Sequence, residues 1–459
     1  MPLRRGATPR TPPAVRPRPV SSAAEIDAGR VAKSRARSAR DIPDWMRIVL
    51  NGTVIVVFWN HLWFSDLSDR SLLEAAESGS LLTQATFIGL GLAMGAALWR
   101  LGIERLRPLL SWPILLCAGW LALTILTSVE PLLSIRRSIL LLIAAMLAAG
   151  ILVVARSARQ FALTLAGSAL IIVVSSFLAV ALVPHLAVHS AFDVQAEPEH
   201  AGLWRGIFPH KNEAGSVMVI LILVGLYVAA TASRFYGWTI VVLSAIFLIG
   251  TNSKTAMATL PVILVVTGLT QVFRGGAMRV LLLVAPILAF SVISIGSVFI
   301  PPVKDLLEAI LKDATYTGRS EIWQFAVENI LNRPLQGWGY GAFWLTERTM
   351  YGSATISTWV NSARHAHNAF LDAALTTGLP GLLFALLAYV YGPLRDLSRI
   401  AAGRTLDPTL MLFVRLWLFA MISASFESVL FNGNNPTCCM VMLAIFGLRL
   451  RTEHALVSR

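Results

Sequence analysis

The sequence predicts an all-α polytopic membrane protein, with about 12 transmembrane helices and a large extracytoplasmic loop carrying short helices. Two observations lead to this fold class. The 459 residues are 56% hydrophobic and only 14% charged, and the mean hydropathy is +0.68. Apolar runs of about 20 residues recur along the chain, a length that matches the hydrocarbon core of a bilayer. A soluble chain could not cover so much apolar surface.

Each apolar run predicts one spanning helix. We expect helices 1–9 within residues 45–300 and helices 10–12 within residues 367–450, with a large periplasmic loop at 301–366 between them. The individual spans are expected near 46–64, 80–99, 108–127, 134–155, 161–184, 213–232, 236–251, 255–273, 279–300, 367–391, 409–430 and 437–449.

The net charge of +13 does not indicate nucleic-acid binding, because the basic residues cluster at alternate ends of the apolar runs. Lys and Arg at alternate ends predict membrane orientation, with the basic ends in the cytoplasm beside the anionic lipid bilayer. Both termini are then cytoplasmic: a disordered basic tail over 1–44 and a short tail over 451–459. The polar loops at about 185–212 and 301–366 lie outside, where there is no ATP and chemistry needs a pre-activated substrate.

The first outer segment with candidate chemistry is W-R-G-I-F-P-H-K-N-E-A-G. We expect Asn212 to cap a helix that begins at Glu213, so that Arg205, His210 and Lys211 gather at its N-terminus. The helix dipole and the free N–H groups there favour an anion. A plain helix cap with interfacial cations explains the same residues.

Two further cations lie at predicted outer helix ends. Lys254, in the turn T-N-S-K-T, is expected either to extend to lipid headgroups or to point into a cavity and bind a phosphate. Arg136 lies at the outer end of the fourth predicted span, against the general charge pattern. Because a charge there is costly unless it is paired or functional, Arg136 is a candidate anion ligand.

The large loop holds the next candidates. In T-G-R-S-E-I-W, Arg319 lies at the start of a predicted helix, where it can meet an anion. The following stretch, L-Q-G-W-G-Y-G-A-F-W, has three alternate glycines, which predict a close approach to other parts of the chain. Its Trp338, Tyr340 and Trp344 could offer flat ring faces to sugars, or form an interfacial aromatic belt.

The segment A-R-H-A-H-N-A-F-L-D closes this loop. Asn368 is expected to cap the helix that follows, and Arg364, His365 and His367 lie just before it. The two histidines do not predict a metal site, because no Cys, Asp or Glu stands at a useful spacing, and no cofactor is indicated. Histidine is suited to act as a general base on an alcohol; a histidine hydrogen-bonded at the membrane interface is the alternative.

These segments, in this order, resemble the O-antigen ligase and polymerase family of bacterial envelope enzymes. The resemblance extends over about residues 45–450 and rests on G-I-F-P-H-K-N-E-A-G, T-G-R-S-E-I-W, P-L-Q-G-W-G-Y-G-A-F and H-A-H-N-A-F-L-D-A-A-L-T-T-G-L-P-G. Within the family, G-W-G-Y-G-A-F-W and H-A-H-N look most similar to exopolysaccharide polymerases of the succinoglycan type, with ligases close behind.

The resemblance implies a metal-independent, inverting glycosyltransferase of the bacterial inner membrane, in exopolysaccharide or lipopolysaccharide biosynthesis. Its donor would be an undecaprenyl-diphosphate-linked oligosaccharide, used on the periplasmic side. The acceptor would be lipid A core in a ligase, or another lipid-linked repeat unit in a polymerase, and other polysaccharide-assembly proteins could be partners.

The resemblance also implies roles for single residues. His367 looks like the family's catalytic histidine and Arg319 like its essential loop arginine. Lys254 departs from the arginine that is common in the family, and a lysine loses bidentate phosphate binding. The residues expected near the diphosphate are Arg205, His210, Lys211, Lys254 and Arg136.

A different class of function, a non-catalytic flippase or exporter of lipid-linked sugar, would also suit twelve spans. Such a transporter should show two similar halves with helices broken at matching positions, and no such repeat is visible in the sequence. An inactive scaffold within an envelope-synthesis complex is a third hypothesis.

Overall fold

The computed structural model describes residues 42–60, 81–191, 200–305, 319–344, 363–401 and 403–452. From Pro43 onward the chain forms one compact unit. Most of the predicted tails at 1–44 and 451–459, and parts of the predicted loop at 301–366, lie outside the described residues. The domain boundaries that depend on these segments remain predictions.

The described residues form a bundle of α-helices, and their β structure is limited to one isolated bridge between Val188 and Trp204. The all-α class is therefore confirmed. A 3₁₀ helix, Ile103–Leu109, and a single turn, Pro184–Ala187, accompany the thirteen described helices that we label. These are α1 Asp44–Trp59, α2 Leu81–Leu101, α3 Trp112–Leu126, α4 Pro131–Val154, α5 Ala158–Leu182, α6 Lys211–Thr231, α7 Arg234–Thr251, α8 Lys254–Val272, α9 Gly276–Phe299, α10 Arg319–Asn332, α11 Ala369–Ile400, α12 Pro408–Ser423 and α13 Pro436–Thr452.

Each of the twelve predicted spans falls on one of these helices, and α10 is the additional one. Within the described residues, eight helices are long and apolar enough to cross a membrane. The count becomes nine if Ile103–Leu109 and α3, which meet at a bend of 94°, form one span. Helices α1 and α12 have 16 residues each and α13 has 17. The chain is thus a polytopic helical membrane protein, while twelve crossings remain a prediction.

The basic helix ends predicted to share one side do meet at one end of the bundle, here called the basic end. Arg449 Nε donates to Pro108 O at 2.9 Å, and Arg449 Nη1 lies 3.2 Å from Asp396 Oδ1. Arg279 Nε donates to Thr270 O at 3.0 Å. The two Arg449 bonds tie the segment after α2 and the C-terminal part of α11 to α13, and the Arg279 bond ties the start of α9 to the end of α8.

The opposite end of the same helices, here called the site end, is organised by a break in α11. At Gly378 the backbone has φ 73° and ψ 174°, which interrupts the helical hydrogen bonds. The freed carbonyls of residues 375, 376 and 377 accept instead from Trp338 N at 3.1 Å, Gly339 N at 2.9 Å and Trp120 Nε1 at 2.8 Å. The break therefore holds the glycine-rich loop 333–344 by its backbone.

The alternate glycines of this loop are explained by close approach, as the sequence predicted. A Cβ on Gly337 would lie 2.6 Å from the Thr376 and Gly378 backbone. A Cβ on Gly339 would lie 2.1 Å from Ser128 Oγ. Both positions also have positive φ, so a larger residue would be strained as well as crowded.

Candidate active site

Three side chains from distant parts of the sequence meet at the site end around one carboxylate. Arg319 Nη2 lies 2.9 Å from Glu427 Oε1, and His367 Nδ1 lies 3.1 Å from Glu427 Oε2. The side chains are 17%, 24% and 31% exposed for Arg319, Glu427 and His367. The group is therefore shielded from bulk water but remains reachable.

Helix α10 brings Arg319 to this position. Its buried residues Ile322, Trp323, Ala326 and Ile330 belong to the apolar core at the site end, so the helix packs against the bundle. Arg319, the first residue of the helix, also donates from Nη1 to Phe426 O at 2.7 Å. The guanidinium thus binds both the Glu427 side chain and the backbone beside it.

His367 has φ 49°, in the left-handed region that is unusual for a residue with a side chain. Asn368, which follows it, caps α11 as predicted: its Oδ1 accepts from Phe370 N at 3.0 Å and from Leu371 N at 3.1 Å. Its Nδ2 donates to Ser425 O at 3.0 Å, two residues before Glu427. A strained backbone retained beside a polar cluster is typical of functional sites.

The imidazole of His365 packs against that of His367, with ring centroids 4.1 Å apart at 63°. Burial, together with the neighbouring His367, Arg319 and Arg364, lowers the pKa of His365 to about 3, against the opposing effect of Glu427. His365 is therefore neutral near pH 7. Arg364 itself is exposed.

Glu427 is ionised. Its burial raises the pKa of the carboxyl, but Arg319 and His367 outweigh burial and hold the pKa below its usual range. Ligand atoms of His365, His367 and Glu427 lie within 4.8 Å of one another, a spacing that could admit a metal ion. The guanidinium of Arg319 at 2.9 Å already neutralises this carboxylate, so the group offers a metal ion no net negative charge.

A second cluster surrounds the start of α6. Here the helix begins at Lys211 and His210 is its cap, so the predicted start at Glu213 with Asn212 as cap is wrong. His189 Nε2 accepts from Lys211 N and His210 Nδ1 accepts from Asn212 N, both at 3.1 Å. Two amides that were expected to be free for an anion are thus held by imidazoles.

Burial lowers the pKa of His210 to about 3, with His189, His200 and Lys211 acting in the same direction. Glu427 acts in the opposite direction on the same imidazole. The Glu427 carboxylate thus acts electrostatically on one imidazole of the cluster at α6.

Lys254 adjoins this second cluster. It is exposed at the start of α8, and Ser253 Oγ before it lies 3.5 Å from Asn212 Oδ1. A Cβ on Gly215 would meet Ser253 Cβ at 2.5 Å, so the starts of α6 and α8 are in close contact. Arg205 Nε donates to Leu186 O at 2.8 Å and fixes the preceding loop.

The remaining candidates are Arg136, near the start of α4, and the three aromatic residues of the glycine-rich loop. Arg136 is exposed on α4, and its neighbour Arg137 is the one that donates to Gly341 O in the glycine-rich loop. Trp338, Tyr340 and Trp344 are only 5–6% exposed. These three rings therefore pack in the interior of the protein, and we do not assign them a role in stacking on a sugar.

Glu427 was missed at the level of sequence because it falls within the predicted span 409–430. The structure ends α12 at Ser423 and places Glu427 in the loop that follows. A signal was available: Glu427 is the one acidic residue in that predicted span. An ionisable residue within an apparent span is by default a candidate for function.

Two comparisons with known proteins bear on this site. Residues 239–386 match the family model described as O-antigen ligase. The exopolysaccharide production protein ExoQ of Rhizobium meliloti (strain 1021) is 30% identical over 139 residues, which cover 30% of this chain. The alignment spans about a third (32%) of that relative's length. Arg319, His365, His367 and Asn368 lie inside the matched range, whereas His210 and Glu427 lie outside it. Residues 239–386, about a third of this chain, are thus similar to the O-antigen ligase family.

Proposed function

We propose that the protein is a membrane glycosyltransferase that transfers or polymerises undecaprenyl-diphosphate-linked glycan in exopolysaccharide production. The observation that supports this best is the contact of Arg319 and His367 with the two oxygens of Glu427. The family of residues 239–386 and the name of the Rhizobium relative support the substrate class. The donor is already activated as a diphosphate, so the reaction needs neither ATP nor a cofactor.

In the mechanism we propose, His367 is the general base. Its Nδ1 faces the ionised Glu427, which favours the tautomer with the proton on Nδ1 and leaves Nε2 to accept the proton of the acceptor hydroxyl. The acceptor oxygen attacks the anomeric carbon while the bond to the lipid diphosphate breaks. Glu427 stabilises the imidazolium that forms, as a carboxylate does beside a catalytic histidine.

The leaving diphosphate takes up negative charge. Of the five N–H donors of Arg319, two are used by Phe426 O and Glu427. The others can bind the diphosphate, together with Arg205, Lys211 and Lys254 at the nearby starts of α6 and α8. Fixed cations of this kind stabilise the transition state without reorganisation. The base and the cations act on opposite faces of the sugar, so the proposal includes inversion without a metal ion.

We also propose that the basic end faces the cytoplasm and the site end the periplasm. Helix ends rich in arginine stay on the cytoplasmic side, and they are gathered at one end of this bundle. With twelve spans in the inner membrane, both termini are cytoplasmic. The donor is then used where the exported glycan is assembled.

Ligation to lipid A core is the second candidate, favoured by the description of the matching family model. A gene knockout examined for surface glycans distinguishes the two candidates. Loss of high-molecular-weight exopolysaccharide indicates a polymerase, and unglycosylated lipid A core indicates a ligase.

Reconstituted protein with lipid-linked donor tests catalysis itself. Formation of a new glycosidic bond supports transfer. If donor crosses the vesicle membrane and no bond forms, the protein is a flippase and the proposed function is wrong.

A further inference from the structure

The backbone on both sides of His367 is fixed by buried groups that the proposed chemistry does not use. On its N-terminal side, the peptide group of Ala366 is bound at both polar atoms. Ala366 N donates to Asp372 Oδ1 and Oδ2 at 3.1 Å each, and Ala366 O accepts from Trp323 Nε1 at 2.7 Å. Together with the Asn368 cap on the other side, these bonds hold the backbone of His367 in its left-handed conformation.

Asp372 also reaches the segment that contains Glu427. Ser428 Oγ donates to Asp372 Oδ2, and Ser428 is the residue after Glu427. A third donor, Trp344 Nε1, binds Asp372 Oδ1 at 2.7 Å. One carboxylate in the first turn of α11 therefore connects the glycine-rich loop, the His367 segment and the Glu427 segment.

We propose that Asp372 is a positioning residue, which sets the distance and orientation between His367 and Glu427 by binding the residue before one and the residue after the other. This inference rests on the proposed function. All three donors require an acceptor, and a carboxylate is an acceptor at every lone pair. The same network assigns Trp344 a role in fixing the site, through its indole N–H rather than through its ring face.

The test is a kinetic comparison of variants in reconstituted protein, with a lipid-diphosphate-linked donor. Asp372→Ala removes all four bonds, and we expect kcat to fall about 10²-fold, because a displacement of about 1 Å at a reacting group has this effect. The KM for the donor should change less than about twofold, since the diphosphate-binding cations do not contact Asp372 directly in the proposed mechanism.

Asp372→Asn removes the negative charge of the side chain and keeps its size and shape. Its amide oxygen can still accept from Ala366 and Trp344, and its NH₂ can donate to Ser428 Oγ, because a hydroxyl can reverse its role. We expect an intermediate kcat. Ser428→Ala and Trp344→Phe remove one donor each, and we expect smaller losses of kcat. These two variants test the network even if the Asp372 variants fail to accumulate.

A matched control is available at the basic end. Asp407 also accepts two backbone N–H groups, from Thr409 and Leu410 at 3.0 and 3.1 Å, and also contacts an arginine. Asp407→Asn should lower the melting temperature and leave kcat unchanged. If Asp372 and Asp407 variants lose kcat only in proportion to their melting temperatures, Asp372 is merely structural and the inference is wrong.

The failure of this inference differs from the failure of the proposed function. If His367→Ala is inactive while folded Asp372→Ala keeps wild-type kcat, only the positioning role is overturned. If His367→Ala is itself fully active, the base mechanism is wrong and Asp372 has no base to position.

Discussion

His367 is the residue on which the proposed reaction depends most, and His365 beside it provides a natural comparison. His367→Ala should lower glycan transfer about 10²–10⁴-fold, the usual contribution of a positioned base. His365→Ala should be milder, because His365 has no contact with the Glu427 carboxylate of the kind that orients His367. Turnover with a lipid-linked donor checks both. If His365→Ala is inactive while His367→Ala has wild-type turnover, we have assigned the base to the wrong histidine.

Arg319 supports the site by charge and by geometry. Arg319→Ala removes charge-assisted bonds and should cost transfer about 1.5–3 kcal/mol, with Arg319→Lys restoring part of it because the planar fork is lost. Arg364→Ala is the control, since Arg364 is exposed three residues from His367. An abundant Arg319→Ala protein with full activity would exclude the diphosphate role.

The two histidines with lowered pKa, His210 and His365, predict how stability depends on pH. In the unfolded chain histidine titrates near about 6.5, whereas burial lowers the folded pKa of each to about 3. Between these values the unfolded chain binds more protons, so stability falls as pH falls below about 6.5. The melting temperature of purified protein should be flat from about pH 8 to about 6.5 and decline below that. His365→Ala should reduce the decline, and an unchanged profile would contradict the neutral, buried state of this imidazole.

At the scale of elements, the sequence predicted the helices well and some of their ends poorly. Each apolar run falls on one described helix, because a long apolar run favours a helix that is buried or crosses the membrane, and motif residues such as Asn368 locate a cap locally. The start of α6 was misplaced because its cap, His210, is not a typical capping residue. Glu427 was missed because the mean hydropathy of the segment 409–430 remains apolar although it contains one acidic residue. The contacts of Glu427 with residues 319 and 367 join segments that are about 60 to 110 residues apart in the sequence. They depend on how the helices pack, which a local sequence pattern does not predict.

The break in α11 gives a prediction at this scale. Gly378→Ala should destabilise the protein strongly, because φ is +73° and the new Cβ would lie 2.2 Å from Leu335 O. With ψ at 174° this backbone lies in a region that essentially only glycine adopts, and it costs a residue with a Cβ about 1–3 kcal/mol. Gly268→Ala is the control: it lies inside α8 with no atom within 4 Å of the added Cβ, and should be neutral or stabilising by up to about 1 kcal/mol. Melting temperatures in detergent would compare them, and equal values would show that the break tolerates a side chain.

For the whole molecule, orientation is the property on which the site assignments depend. A reporter that is active only outside the cytoplasm should work when fused near Thr349, in the predicted large loop, and fail near Arg399 at the basic end. The gathering of arginine-rich helix ends is the reason for this expectation. The reverse result would place the site in the cytoplasm and remove the argument for a donor activated beforehand.

The place of Glu427 in the chain has a consequence for biosynthesis. Arg319 and His367 leave the ribosome well before Glu427, which lies between helices α12 and α13. The nascent protein therefore has the proposed base and its arginine before it has the carboxylate that contacts both. A chain that stops before α12 would enter the membrane with most of its helices but without a complete site. In the proposed mechanism, catalytic competence would thus require synthesis to pass Glu427, so products truncated before it would not consume lipid-linked sugar.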